Sequence, residues 1–455
     1  MADPVNIGTR RELFVDDFII ESITDAKPYL HDPIRREVVF QVEQPFENAC
    51  TGCYNFTRAD GKILVYYRGF YPIGEKGADL GEQQTTNLLT SDDGITFERP
   101  SLGLVEGGAR NVLHRGIKAH NFCVFLDEKP GIPHAERFKA VGGVGKDSLY
   151  GFTSGDGLTW SNVRETPLDV TGAFDSVNVA MWDPAAACYR LFSRYFHETA
   201  DGGVRAIQSC TSDDFIHWTE PVPHNYLGDL PLEHFYTNAT VPCPGAEHIL
   251  LSFPMRFLPK RTLTTDGMDY PGTGLSDAVF MSSRDGNNWT RAFPEAWLRP
   301  GSDQRNWTHR SCTPAVGLFE TGDDEWSMYV SENYGWHTNR MRRITVRPHG
   351  FASIRAGYHG GEMTTKPLVF GGTNLHLNYA TSAAGSIAVE VQDAEGHPIE
   401  GYTLDDSEVL YGDTLDGRIR WRNESDIAGL AGTTVRFRFV LNDADLFAFR
   451  TDGTD

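Results

Sequence analysis

No run of apolar residues in this 455-residue sequence approaches the ~20 needed to cross a bilayer as a helix. The opening Met1-Ala2-Asp3-Pro4-Val5-Asn6 has neither a basic head nor an apolar core, so no secretory signal is read there. A cytoplasmic location without membrane association is expected. A basic stripe is missing too. The formal charge is −21, with Asp and Glu spread along the chain, which argues against nucleic acid as a partner and for solubility. Sustained helical periodicity is scarce throughout.

Cysteine is sparse and odd in number. Seven thiols make a poor disulfide framework for a chain this long. Cys123, Cys188, Cys210 and Cys243 sit in apolar, strand-like runs, where buried free thiols are expected. Cys50-Thr51-Gly52-Cys53 has the C-x-x-C spacing, but no second ligand pair follows and no βαβ pattern surrounds it. His120, His234 and His309 form no H-x-x-x-H pair, and no acid triplet gathers at one locus. Neither a metal nor an organic cofactor is expected.

What is plentiful is the material of short strands and turns: 46 glycines, 24 prolines and many aromatics. These are ordered by a period of about sixty residues, seen first in a turn motif. Thr90-Ser91-Asp92-Asp93-Gly94-Ile95-Thr96-Phe97 recurs as Thr153-Ser154-Gly155-Asp156-Gly157-Leu158-Thr159-Trp160. It recurs again as Thr211-Ser212-Asp213-Asp214-Phe215-Ile216-His217-Trp218 and as Ser282-Ser283-Arg284-Asp285-Gly286-Asn287-Asn288-Trp289. A looser fifth copy ends at Phe351. Each copy reads as a strand end, a tight polar turn, then an aromatic that packs on a neighbouring unit. Such a unit cannot bury its own faces, so the copies are expected to stack in a ring.

The fold expected is all-β, a five-bladed β-propeller followed by a β-sandwich. The blades fall roughly at 36–100, 101–165, 166–222, 223–293 and 294–351, with the amino-terminal strand closing the ring of a 1–351 domain. After Phe351 the turn motif stops. Residues 352–455 carry alternating runs such as Leu375-His376-Leu377-Asn378-Tyr379, Ile387-Ala388-Val389-Glu390-Val391 and Val435-Arg436-Phe437-Arg438-Phe439-Val440, a sandwich pattern.

With Thr365-Lys366-Pro367-Leu368-Val369-Phe370 and Asp443-Ala444-Asp445-Leu446-Phe447-Ala448-Phe449, these carboxy-terminal runs resemble the sandwich of glycoside hydrolase family 32 and its clan. The likeness spans nearly the whole chain in architecture. It implies a bacterial glycosidase that acts on furanosides or related sugars through a carboxylate pair in the propeller funnel. The family's first-blade Asp nucleophile has no counterpart in Glu47-Asn48-Ala49-Cys50-Thr51-Gly52, and its Arg-Asp-Pro and Glu-Cys motifs are absent as such.

In such a propeller, residues just before the first strand and just after the second strand of each blade face one pocket. Read this way, the catalytic candidates are Asp175, Glu233 and Glu332. Glu233 sits in an apolar setting suited to a general acid, and Glu332 near Arg340 and Arg342 is suited to staying ionised. Each has a plainer reading: a turn cap for Asp175, a solvated loop acid for Glu233, an ion-pair partner for Glu332. Candidates for substrate binding are Asp17, Arg68, His120, Asn121, Arg194, Asn238, Arg256, His309 and Tyr334. Arginine at three equivalent positions suits an anionic or hydroxyl-rich ligand.

The function expected is a glycoside hydrolase acting on a furanoside or an acidic-sugar glycan. A polysaccharide lyase on a uronate glycan and a non-catalytic carbohydrate-binding propeller remain as alternatives. The sugar, the linkage, the stereochemistry and the oligomeric state are not legible in the sequence.

Overall fold

The computed structural model describes residues 3–43, 46–70, 83–105, 110–422 and 426–452. The protein is all-β; among the described residues the only helical pieces are four single 3-10 turns, of which Ile117–Ala119 is one. No helix among them is long and apolar enough to cross a membrane. Two compact units divide the chain. The larger comprises Pro33–Cys243 and Glu247–Thr345, and the smaller Met1–Asp32, Pro244–Ala246 and Val346–Asp455.

In the larger unit the period of the sequence becomes a series of mostly antiparallel sheets. The first holds Gly52–Ala59, Lys62–Phe70, Gln84–Ser91 and Val112–Arg115 in sequence order. The second holds Cys123–Leu126, Phe138–Gly142, Tyr150–Ser154 and Ser161–Asn162, and the third Val179–Asp183, Cys188–Thr199, Gly202–Ser212 and Val222–Pro223. The fourth repeat is split: Leu250–Ser252, Met281–Ser283 and their neighbours form one sheet, while His234–Phe235, Met255–Leu258 and Leu275–Ala278 form another. The fifth sheet orders Thr313–Pro314, Glu325–Glu332 and Arg340–Val346, and its outer strand is Ile34–Gln41 from the start of the chain.

Strand alternation explains why these sheets need each other. On Lys62–Phe70, Ile63, Val65 and Tyr67 pack with Tyr329 and Met341 of the fifth sheet. Tyr66 and Leu64, on the opposite face, pack with Phe122, Phe138 and Phe152 of the second. Burying a side chain of this size stabilises by about 1.5–3 kcal/mol, available only if both faces are covered. The first and fifth sheets also share backbone hydrogen bonds: Phe56 N donates to Val316 O (2.8 Å) and Val316 N to Tyr54 O (3.1 Å).

The recurring turn has one geometry in all four copies. Ser91 Oγ accepts from Gly94 N (2.9 Å), while Asp93 Oδ1 accepts from Ile95 N and Thr96 N (2.8 and 2.7 Å). Ser154–Asp156, Ser212–Asp214 and Ser283–Asp285 repeat it. The residue after the Asp takes a left-handed φ: Gly94, Gly157 and Gly286 accept this freely, and Phe215 adopts it at +68°.

In the smaller unit, two 18-residue strands, Leu375–Gln392 and Thr434–Thr451, pair antiparallel along most of their length. Alternation along the second buries Val435, Phe437, Phe439 and Leu441 with Ile387, Val389 and Val391. Residues before Asp32 belong here: Ile20–Thr24 pairs with Gly361–Thr365, and Ala26–Leu30 with Ala352–Ala356.

Candidate active site

A pocket in the larger unit is lined by residues of loops that precede strands (Asn121, Asp175, Arg310), by Tyr236 just after His234–Phe235, by Tyr334 just after Glu325–Glu332, and by Cys53 and Arg68 within the first two strands of the first sheet. All seven cysteines of the chain are free thiols, and Cys53 stands on this wall with Cys50 beside it. Burial pushes both of these thiols up in pKa.

Asp175 lies in the loop before Val179–Asp183, and its carboxylate is 58% exposed. His120 Nε2 is 3.0 Å from Asp175 Oδ1. Burial works to raise the Asp175 pKa, but the hydrogen bond from His120 and the charges of Arg194 and Arg68 outweigh it, leaving a value of about 2. The carboxylate is therefore ionised at neutral pH. His120 is buried, which lowers its pKa and keeps the imidazole neutral, and its Nδ1 meets the side chain of Gln84. Asn121 is oriented from both ends: Nδ2 donates to Ser176 O (2.8 Å) and Oδ1 accepts from Arg68 (2.9 Å).

Four arginines converge on this pocket. Arg68 and Arg310 each donate to the Tyr334 hydroxyl at 3.3 Å, and burial raises the pKa of that phenol against their pull. Arg194, Arg205 and Arg310 lie over the ring of Tyr236, at 5.0, 5.0 and 5.5 Å from its centroid. Among the described residues none of the four makes an ion pair with a carboxylate, and the Nε groups of Arg68, Arg194 and Arg205 are buried without a hydrogen-bond partner. Elsewhere in this unit arginines are answered by acids, as in Arg99–Glu47 (2.8 Å) and Arg190–Asp183 (3.0 Å). Burial and the charges of Arg194 and Arg310 lower the pKa of Arg205, against the pull of Tyr236.

Of the residues singled out in the sequence, Asp175, Arg68, Asn121 and Tyr334 line the pocket, with His120 and Arg194 against it. The others are placed elsewhere. Glu332 is buried and held by Arg340 (2.8 Å) and Arg342 (2.9 Å). Glu233 is paired with Arg256 (3.2 Å) and Arg291, and Arg256 also with Asp277 (2.6 Å). Asn238 is buried and ties strands together through Val177 O (3.3 Å). His309 is buried and meets Tyr270 O at 3.2 Å, and Asp17 belongs to the smaller unit.

Tyr236 and Arg205 were not singled out, and Arg310, which sequence counting places on the rim beside His309, was not chosen as a candidate. The signal for Arg310 was one residue away at His309, and its left-handed φ of +58° breaks the strand alternation a sequence count assumes. The same one-residue parity separates Arg256 from Met255 and Glu332 from Ser331, both of which line the pocket.

No protein-family model matches the chain, and no curated protein matches it either. Solved structures do. It is similar to the β-1,2-mannobiose phosphorylase from Listeria innocua in complex with β-1,2-mannobiose, with 12% identity over 70% of this chain and 97% of that one (TM-score 0.46). It is also similar to an N-acetylgalactosamine deacetylase from F. plautii in complex with blood group B trisaccharide, with 14% identity over 70% and 94% (TM-score 0.43). A third is a structure from work on the GH130 family of mannoside phosphorylases and glycoside hydrolases that target β-1,2-mannosidic linkages in Candida mannan, with 14% identity over 74% and 97% (TM-score 0.42).

Proposed function

We propose that this protein is a carbohydrate-active enzyme that cleaves a glycoside bearing an anionic group, with Asp175 as its working carboxylate. The larger unit is, in this reading, a five-bladed propeller whose funnel holds the pocket, and the smaller unit a sandwich, as in the glycosidases of the family 32 clan. The observation that carries it is a group of four arginines, Arg68 and Arg310 on the pocket wall and Arg194 and Arg205 against its Tyr236, none of which forms an ion pair with a carboxylate among the described residues. A buried guanidinium without a counter-charge is costly, so such a cluster fits a site completed by an anionic ligand, for which a uronate or similar acidic sugar is the proposed source. The protein's net charge of −21 sharpens the contrast, because cationic residues gather here against the overall balance.

Ionised at neutral pH, Asp175 suits the part of base or nucleophile, and neutral His120 orients it. Hydrolysis with a carboxylate pair needs a second acid on the pocket wall, and Glu233 and Glu332 are both engaged by arginines. This favours a second reading, β-elimination on a uronate. A base removes the proton α to the carboxylate, the glycosidic C–O bond breaks, the leaving sugar takes a proton, and a C=C bond remains in the uronate. Arginines that neutralise the carboxylate would make that proton more acidic.

The test is a product screen of the full chain and Asp175→Asn on fructosides, arabinosides and uronic-acid glycans. Sugar release into water that is confined to acidic substrates and lost in the variant supports hydrolysis. An ultraviolet-absorbing unsaturated product selects elimination. Equal turnover of neutral and acidic glycosides would sink the anionic-substrate reading.

A further inference from the structure

We propose that Tyr236 is the positioning residue of this pocket, holding Arg194 and Arg205, with Arg310 beside them, so that one anionic group is received between the guanidiniums. The inference rests on the acidic-glycoside reading and adds the device that makes it work. Arg194 and Arg205 come from two paired antiparallel strands, Cys188–Thr199 and Gly202–Ser212, where Phe196 stands opposite Arg205. Like charges so placed repel each other, and although the charge of Asp175 acts on both, no carboxylate among the described residues forms an ion pair with either.

What meets them is aromatic. Tyr236 lies 5.0 Å from each, Phe196 lies 5.3 Å from Arg194 and 5.6 Å from Arg205, and Phe257 lies 5.1 Å from Arg205. The negative face of an aromatic ring attracts a guanidinium without consuming its N–H donors. A carboxylate in the same place would hold the arginines more strongly and would also occupy the site. The rings therefore keep both side chains in place and leave their donors for a ligand. Tyr236 is itself fixed by its backbone: its N–H donates to Met255 O (2.8 Å) and its carbonyl accepts from Ser176 Oγ (2.6 Å). An arginine already restrained loses less side-chain entropy when an anion arrives.

The test compares the full chain with Tyr236→Phe, which keeps the ring, and Tyr236→Leu, which removes it. Binding of glucuronate, with glucose as the neutral control, is measured by calorimetry, and the arginine Nε–H resonances by NMR without ligand. Phe should bind glucuronate within about twofold of the parent, and Leu at least tenfold more weakly, with an unchanged melting curve. Tyr236→Met, which fills the space without a ring, stands in should the Leu variant melt early. In the parent and in Phe, the Arg194 and Arg205 resonances should be displaced by the ring current; in Leu they should collapse toward free-arginine positions. Parent-like binding and resonances in Leu overturn the proposal. So does a Phe variant that loses glucuronate as Leu does, since the hydroxyl would then be what matters. A parent that binds no glucuronate defeats the acidic-glycoside reading instead, and the resonances then decide Tyr236 alone.

Discussion

The buried imidazole of His120 stands 3.0 Å from the exposed carboxylate of Asp175, and this contact helps to keep that carboxylate ionised. Replacing His120 by Phe removes a hydrogen bond that holds the Asp175 pKa at about 2, so that pKa should rise. With Asp175 as the proposed working carboxylate, the acid limb of the kcat/KM profile should move up by about one pH unit or more. An unmoved limb would mean that His120 does not control the carboxylate. Asp175→Asn should lose at least about a thousandfold in kcat at every pH.

Glu233 and Glu332 make the opposite prediction. Glu332 answers Arg340 and Arg342 in a buried setting, so Glu332→Gln leaves Arg342 without its carboxylate and Arg340 with Asp303 alone (3.2 Å). A loss of about 3–5 kcal/mol in stability is expected in urea unfolding, with kcat per folded molecule nearly unchanged. Glu233→Gln should show a smaller loss of the same kind, since its side chain is a quarter exposed. A kcat that collapses while the melting curve stays put would return either residue to the chemistry.

His224 lies stacked on Trp289, 5.1 Å between centroids, and both its ring nitrogens are buried without a partner. Burial lowers its pKa from 6.5 to about 3. The unfolded chain therefore binds this proton near pH 6.5 while the folded chain refuses it until near pH 3. Stability from this group is full above the higher value and falls as pH drops between the two, by on the order of 5 kcal/mol in all. His224→Phe keeps the stack and removes the nitrogens. Unfolding at pH 7 and pH 4.5 should show a flatter dependence than in the parent, and an unchanged slope would place the acid sensitivity elsewhere.

Gly157 takes a φ of +73°, and a Cβ there would sit 2.6 Å from the Tyr66 hydroxyl that donates to its carbonyl. Gly157→Ala should cost about 2 kcal/mol or more, read as a lowered melting temperature. At the same place in the third copy, Phe215→Gly would relax the backbone yet empty a site packed against Phe125 and Tyr189 (5.7 and 5.4 Å between centroids). A net loss of about 2–4 kcal/mol is expected, and a gain would show that strain outweighs packing there.

The turn motif was legible in the sequence because its chemistry is local: a Ser, an Asp and a left-handed residue within four positions. The sheet series follows from it, since the spacing of turns fixes where strands end. The pocket was legible only in part. Asp175, Arg68, Asn121 and Tyr334 lie where the strand ends point, but a strand shifted by one residue presents its other face. Arg256 and Glu332 were read on the pocket side, and Met255 and Ser331 occupy it. Cys53, Asn121 and Arg310 on the pocket wall are left-handed as well, and a propensity count does not show them. Nor does spacing show which charges are paired: the pocket arginines and Arg340 differ only in what lies opposite them.

The outer strand of the fifth sheet has a consequence for how the chain is made. Ile34–Gln41 pairs with Arg340–Thr345, so on the ribosome it emerges about 300 residues before its partner. At ordinary rates of synthesis that is a wait of roughly 15 to 60 s with an unpaired edge exposed. The strand meets this interval with Arg35, Arg36 and Glu37 in succession, charges that discourage a foreign strand from docking. Once Arg340–Thr345 arrives, Arg36 turns to Glu325 (2.9 Å) and Glu37 to Arg343 (2.8 Å). The charges that guard the nascent edge thus become the clasps that fasten the finished one.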